Sequence, residues 1–192
     1  GEILEAAKKI RGDDAESAIK EILKSKLSSK DRNLATGADL QVQMWILKVN
    51  KIVFTNGCFD ILHQGHVTYL AGAAEYGTKL VVGLNSDASV KKQGKGDNRP
   101  VNSEVARAIV LASLGCVDMV VIYDEETPLE IIKMLEPAVL AKGADFDANE
   151  TDAYSKKFII GSKEVKANGG EVVAVPLVEG FSTTAIIEKM NG

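Results

Sequence analysis

The feature that most constrains the fold is the change of pattern at Lys51. From there onward, short β-rich apolar runs alternate with stretches of helical spacing, the mark of an α/β domain whose helices cross over between parallel strands. The runs place strands at about 51–55, 79–84, 119–122, 138–141 and 172–175, and helices near 66–75, 103–114, 128–135, 155–168 and 183–190. Five strands joined in this way predict a doubly wound parallel sheet. Ligands of such sheets bind beyond the carboxyl ends of the strands, where the strand order reverses, so the turn after the first strand is the place to look for a site.

The first 28 residues stand apart as a helical extension, with the main domain expected over 29–192. Helical spacing occurs twice, through Ile3, Leu4, Ala7 and Ile10 and then through Ala15, Ala18, Ile19, Ile22 and Leu23, with a break at Gly12, Asp13 and Asp14. This reads as a helical hairpin, an accessory or dimerising appendage without chemistry. A capping-box pattern at Thr36, Gly37, Ala38 and Asp39 predicts a further helix over 40–48, with Trp45 packing it on the core.

Composition narrows the partners. A formal charge of -4 and a pI near 5.3 lack the basic footprint expected of a nucleic-acid binder. Cys58 and Cys116 are far apart in sequence and are expected to be free thiols in a reducing compartment. No apolar run approaches the roughly 20 residues that cross a bilayer. The N-terminus shows no signal-peptide h-region, so a cytoplasmic location and no membrane partner are expected.

The turn after the first strand reads Thr55, Asn56, Gly57, Cys58, Phe59, Asp60, Ile61, Leu62, His63, Gln64, Gly65, His66, and it holds both histidines of the chain. A helix N-terminus presents unpaired N–H groups and a partial positive charge, which suit a polyphosphate. Two imidazoles there add directed donors, and Gly57 and Gly65 let the backbone turn tightly or approach a ligand. Three other readings compete. Core histidines are one, although imidazoles beside two glycines make poor core material. An open zinc site from Cys58, His63, His66 and Asp60 is another, although the chain has no second Cys/His cluster to close it. A dinucleotide site is the third, and it lacks its G-x-G-x-x-G fingerprint.

This block, with Asn85, Ser86 and Asp87, Lys91 and Lys92, Arg99 to Asn102, Arg107, Lys142 with Gly143, 167–172, and Gly180 to Thr184, resembles the H-x-G-H nucleotidyltransferases of the cytidylyltransferase-like type. Within them it is most similar to the adenylyltransferases that make ADP-heptose, over about residues 51–190. The resemblance implies a Rossmann-like fold. It also implies transfer of AMP from ATP to heptose 1-phosphate, with Mg2+ carried by the triphosphate rather than by a dedicated protein site. It gives catalytic roles to His63, His66 and Lys91. It gives nucleotide binding to Thr55, Asn56, Gly57, Phe59, Gly65, Lys142, Gly143, Ser182, Thr183 and Thr184. Substrate contacts fall to Asp60, Asn85, Asp87, Lys92 and Arg99. An ordinary N-cap competes for Ser182, Thr183 and Thr184, an Asx turn for Asp87, and a surface charge for Arg99 and Arg107. A homodimer is compatible with the resemblance.

The sequence also departs from the pattern. Ile187 stands where relatives acting on pantetheine phosphate or nicotinate mononucleotide carry arginine, which favours the sugar- and polyol-phosphate branch. Gly143, Ala144, Asp145 and Phe146 replace an expected Gly-Gly-Asp-Tyr. Residues 147–160 form a longer stretch, either an altered acceptor pocket or a surface insertion. A glycerol-3-phosphate cytidylyltransferase and a noncatalytic nucleotide-binding module are the alternatives.

Overall fold

A computed structural model describes residues 34–35, 50–94 and 98–191. The expected hairpin over 1–28 and the helix over 40–48 lie outside the described residues.

The five expected strands are all present: β2 (Ile52–Gly57), β3 (Lys79–Asn85), β4 (Met119–Tyr123), β5 (Val139–Gly143) and β6 (Glu171–Val175). A sixth, β1 (Leu34–Ala35), pairs with β4 at the edge of the sheet. Two residues are too short to leave a periodic signal in the sequence. Every pair is parallel, and the order is β1-β4-β3-β2-β5-β6. The chain therefore moves outward from β2 through β3 to β4, then returns to the other side of β2, so the order reverses between β2 and β5.

The helices are α1 (Gln64–Ala74), α2 (Asp87–Lys92), α3 (Glu104–Ala112), α4 (Leu129–Leu135), α5 (Ser162–Ala167) and α6 (Thr183–Asn191). Alternation along the strands splits the core in two. Val53, Leu80, Val82, Leu84, Val139 and Ala141 meet Leu70 and Ala73 of α1 and Leu111 of α3 on one face. Phe54, Val81, Val121 and Leu140 meet Ile132 of α4 and Val165 of α5 on the other.

Two segments differ from the sequence reading. The helix expected over 155–168 begins only at Ser162, after Gly161 at φ 87°. Within the expected span the Ser155 hydroxyl accepts from the Lys157 N–H at 3.2 Å, and just before it Asp147 accepts from the Asn149 N–H, Glu150 from Thr151 and Asp152, and Asp152 from Tyr154. Such bonds compete with helix formation. Conversely, α2 was not expected. It is a six-residue helix started by Ser86, whose Oγ accepts from the Ser89 N–H at 3.1 Å.

Candidate functional site

The site begins where β2 and β5 stop pairing. Their ladder is confined to Val53 with Val139 and Phe54 with Leu140, whereas β2 runs on beside β3 as far as Gly57. Asn56 and Gly57 on one side and Lys142 and Gly143 on the other thus form the two lips of a crevice at the switch point. Lys142 Nζ crosses it to donate to the Asn56 carbonyl at 3.3 Å. The crevice opens into a cleft of about 460 Å³ that runs from Asn56 past both histidines to Thr183.

The turn from β2 into α1 is held rigidly. Phe59 adopts φ 44°, unusual for a residue with a side chain, and its ring is 7% exposed, tucked against Gly57 and edge-on to His66 at 5.2 Å. Asp60 is buried and points away from solvent. Its carboxylate accepts from the N–H groups of Val101 at 2.8 Å and Asn102 at 2.9 Å and from Arg99 Nε at 2.6 Å. Burial would raise the Asp60 pKa, but those donors outweigh it and hold the carboxyl below 3.8.

His63 precedes α1 and His66 sits in its first turn, with no acidic residue there to neutralise the helix end. The two rings stack at 3.8 Å between centroids, with 21° between planes. A side chain on Gly65 would come within 3.0 Å of Phe181 and 3.1 Å of the His63 ring, so glycine is what lets the histidine pair meet the 180–184 loop. Burial, followed by the neighbouring His63, pushes His66 down to about 4, with a hydrogen bond to the Ile61 backbone pulling the other way. Burial also lowers His63. Both rings are therefore neutral near pH 7, each with one N–H donor and one bare nitrogen.

Four buried side-chain atoms among the described residues have no hydrogen-bond partner: Asn56 Oδ1, both ring nitrogens of His63, and Nδ1 of His66. All belong to residues that line this one cleft. Buried polar atoms are ordinarily paired, and leaving one orphaned costs about 1–3 kcal/mol. Three imidazole nitrogens and an amide oxygen thus face one space with hydrogen-bonding capacity that a polar ligand could use. The core-histidine reading does not describe this arrangement.

The other expected site residues divide clearly. Gly57, Phe59, Gly65, Lys142, Gly143, Ser182 and Thr183 line the cleft with the histidines and Asn56. Thr184 lines a second chamber of about 370 Å³, which shares Cys58, Phe59, His66 and Thr183 with the first and also contains Asp60 and Arg99. Thr55 lies beneath the floor, fully buried, with Oγ1 2.7 Å from the Tyr69 hydroxyl. Asn85 is buried and donates to Ser89 Oγ at 2.9 Å, fixing the β3–α2 turn. Asp87 opens α2 and accepts from Arg107 at 2.7 Å. Lys91 and Lys92 are exposed in the last turn of α2 and line neither chamber. Ser182 Oγ accepts from the Ala185 N–H at 3.0 Å, so it is an N-cap of α6 as well as a cleft residue.

Arg107 departs from the surface role considered above. It is 2% exposed and donates to the carbonyls of Asn102 and Cys58 and to Asp87, tying three segments of the site's frame together. Helical periodicity places position 107 on the inner face of α3, but nothing in an isolated arginine announces burial. The sequence reading also missed Tyr69, Asp145, Leu177 and Val178 as wall residues. Their positions just past β5 and β6 are the one signal that could have found three of them. The zinc arrangement is not built: Asp60 is engaged by the 99–102 loop, and no group of three or more His, Cys, Asp or Glu is placed to hold a metal among the described residues.

A model of the family described as cytidylyltransferase-like matches residues 54–189, which include both lips of the crevice, the histidine pair and most of α6. The chain belongs to the cytidylyltransferase-like family. Its similarity to curated members is strong. The bifunctional protein HldE of Paramagnetospirillum magneticum is 52% identical over 157 residues, covering 82% of this chain and 30% of that protein. The bifunctional protein HldE of Campylobacter fetus is 47% identical over 188 residues, covering 96% of this chain and 37% of that protein. The cytidylyltransferase-like chain thus spans about a third of the length of the curated relatives it matches. A crystal structure of the lipopolysaccharide core biosynthesis protein from Thermoplasma volcanium GSS1 aligns with a TM-score of 0.51 and 25% identity, covering 67% of this chain and 97% of that one.

Proposed function

We propose that this chain is a sugar-phosphate adenylyltransferase that transfers AMP from ATP to heptose 1-phosphate, giving ADP-heptose and pyrophosphate. The observation that carries the reading is the convergence of orphaned His63, His66 and Asn56 atoms on one cleft at the mouth of α1. A triphosphate offers the acceptor oxygens that imidazole N–H groups and a helix N-terminus need, while Asn56 Oδ1, an acceptor, is suited to a hydroxyl or amino donor of the nucleoside.

A phosphate oxygen of heptose 1-phosphate attacks the α-phosphorus of ATP. The new O–P bond forms as the bond from that phosphorus to the bridging oxygen breaks, and pyrophosphate leaves with the electron pair. Such displacement calls for positioning and charge stabilisation rather than a protein nucleophile. His63 and His66 serve as fixed donors to the phosphate oxygens on which charge grows. Lys142, Gly143, Phe146, Leu177 and Val178 form the wall suited to base and ribose. Mg2+, carried by triphosphate oxygens and water, supplies charge neutralisation. The description of the Thermoplasma relative as a lipopolysaccharide core biosynthesis protein supports a sugar-nucleotide product. No helix among the described residues is long and apolar enough to cross a membrane.

The test is pyrophosphate release with Mg2+, using ATP or CTP against heptose 1-phosphate or glycerol 3-phosphate. Release confined to ATP with heptose 1-phosphate is expected. Release with CTP and glycerol 3-phosphate would assign the chain to polyol-phosphate cytidylyl transfer. Nucleotide binding without turnover in any combination would favour a noncatalytic module.

A further inference from the structure

The second chamber is the more polar of the two and has a construction of its own. It is reached from the nucleotide cleft across His66 and Thr183, so one imidazole forms part of both walls. On its far side stands Arg99, whose side chain is only 12% exposed. Arg99 meets Asp60 through Nε at 2.6 Å, so the terminal amino groups of its guanidinium are not consumed by that pair. The Asp60 side chain is fully buried and is itself fixed by the N–H groups of Val101 and Asn102, while Asn102 Nδ2 donates back to the Asp60 carbonyl at 2.8 Å. The arginine is therefore aimed before any ligand arrives. A planar fork whose two terminal amino groups meet no partner among the described residues is suited to a phosphate dianion, and holding it in advance removes the entropy of ordering a long side chain.

Displacement at the α-phosphorus needs the attacking and leaving oxygens roughly in line, on opposite sides of the phosphorus. Two chambers that meet at His66 supply two such sides. We infer that the chamber bounded by Arg99 and Thr184 is the subsite for the acceptor's phosphate monoester, with Arg99 as its phosphate-binding residue and Asp60 as the residue that positions Arg99. This rests on the reading of the main cleft as a nucleotidyl-transfer site. It assigns the acceptor's charge to Arg99 rather than to Lys91 or Lys92, which line neither chamber.

The test uses inorganic phosphate as the probe, titrated calorimetrically into full-length protein saturated with Mg2+ and a nonhydrolysable ATP analogue. Turnover is not needed, so the result is independent of which sugar phosphate is the substrate, and failure of the analogue to bind wild type would count against the proposed function instead. Wild type is expected to bind phosphate, and Arg99→Gln to weaken it at least tenfold while the analogue's affinity stays within twofold. Asp60→Asn should weaken phosphate in the same direction, and the double variant should be no worse than Arg99→Gln alone. Should Arg99→Gln not melt cooperatively, Arg99→Lys carries the test, with at least a threefold loss of phosphate affinity and none of the analogue's. The inference is overturned if wild type binds no phosphate, if the Arg99 variants bind it as wild type does, if the analogue weakens in parallel, which would give the chamber to the β- and γ-phosphates, or if the Asp60 and Arg99 losses add.

Discussion

The two sides of the β2–α1 turn use polar side chains in opposite ways. On the frame side, Asp60 and Arg107 are buried and their hydrogen-bonding groups are met by protein, with the exposed Asn102 giving both its backbone and side-chain N–H groups to Asp60. On the cleft side, His63, His66 and Asn56 keep buried polar atoms unmet. A buried polar group that finds its partner inside the chain fixes geometry. One that does not is stabilised only when something else arrives. The frame side is therefore expected to govern stability and, under the proposed function, the cleft side to govern chemistry.

That contrast is broken most directly by exchanging the two kinds of residue as targets. His66→Ala should lower kcat for pyrophosphate release by about 10²–10³, the scale of a lost transition-state donor, while urea unfolding shows little change. Arg107→Met should do the reverse. It strands the Cys58 and Asn102 carbonyls and Asp87, and is expected to cost about 3 kcal/mol in urea unfolding, with nucleotide affinity largely retained in the folded fraction. A large stability loss in the first variant, or none in the second, would erase the distinction.

A finer test sits between the two regions. Gly65→Ala adds a Cβ 3.0 Å from Phe181 and 3.1 Å from the His63 ring, so the loop or the imidazole must shift by a few tenths of an ångström. The expected loss is about tenfold in kcat/KM, since small misplacements of catalytic groups are costly, with the thermal midpoint nearly unmoved. An unaltered kcat/KM would show that the stacked geometry is looser than the structure implies.

The smallest effect is a pH dependence. His66 has a folded pKa of about 4 against 6.5 for the free side chain, so between those values the unfolded chain binds more protons than the folded one. Stability should be full above about pH 6.5 and fall as pH drops toward 4, and His66→Asn should flatten that slope in urea midpoints measured at pH 7, 6 and 5. Asp60 contributes lower down. Its depressed pKa means that its stabilisation is present above 3.8 and is lost as pH falls below that.

Most of the fold was legible because both faces of the parallel sheet are buried, and strands such as 79–85 and 119–123 show as apolar runs in the bare sequence. The histidine motif was legible for a different reason: imidazoles and glycines at a strand-to-helix turn have no good core role. The remainder depended on tertiary direction. Nothing local tells a lysine at 91 that α2 turns it outward, or an arginine at 107 that three acceptors wait inside. Asp60 and Thr55 stand in the motif by spacing, yet the structure spends Asp60 on the 99–102 loop and Thr55 on Tyr69. Residues 155–161 misled because they turn rather than coil, with the Ser155 hydroxyl accepting from the Lys157 N–H where a helix was expected.

The proposed function requires that His63 and His66 be left unpaired in order to hold a triphosphate. Because they are the only two histidines in the sequence, a nuclear magnetic resonance titration shows just two sets of ring resonances, which the spectrum of His66→Ala tells apart. With Mg2+ and a nonhydrolysable ATP analogue at saturation, both sets of ring signals should shift and the His66 pKa should rise from about 4, since polyphosphate charge favours the protonated ring. Rings that neither shift nor change pKa while the analogue binds would contradict the claim.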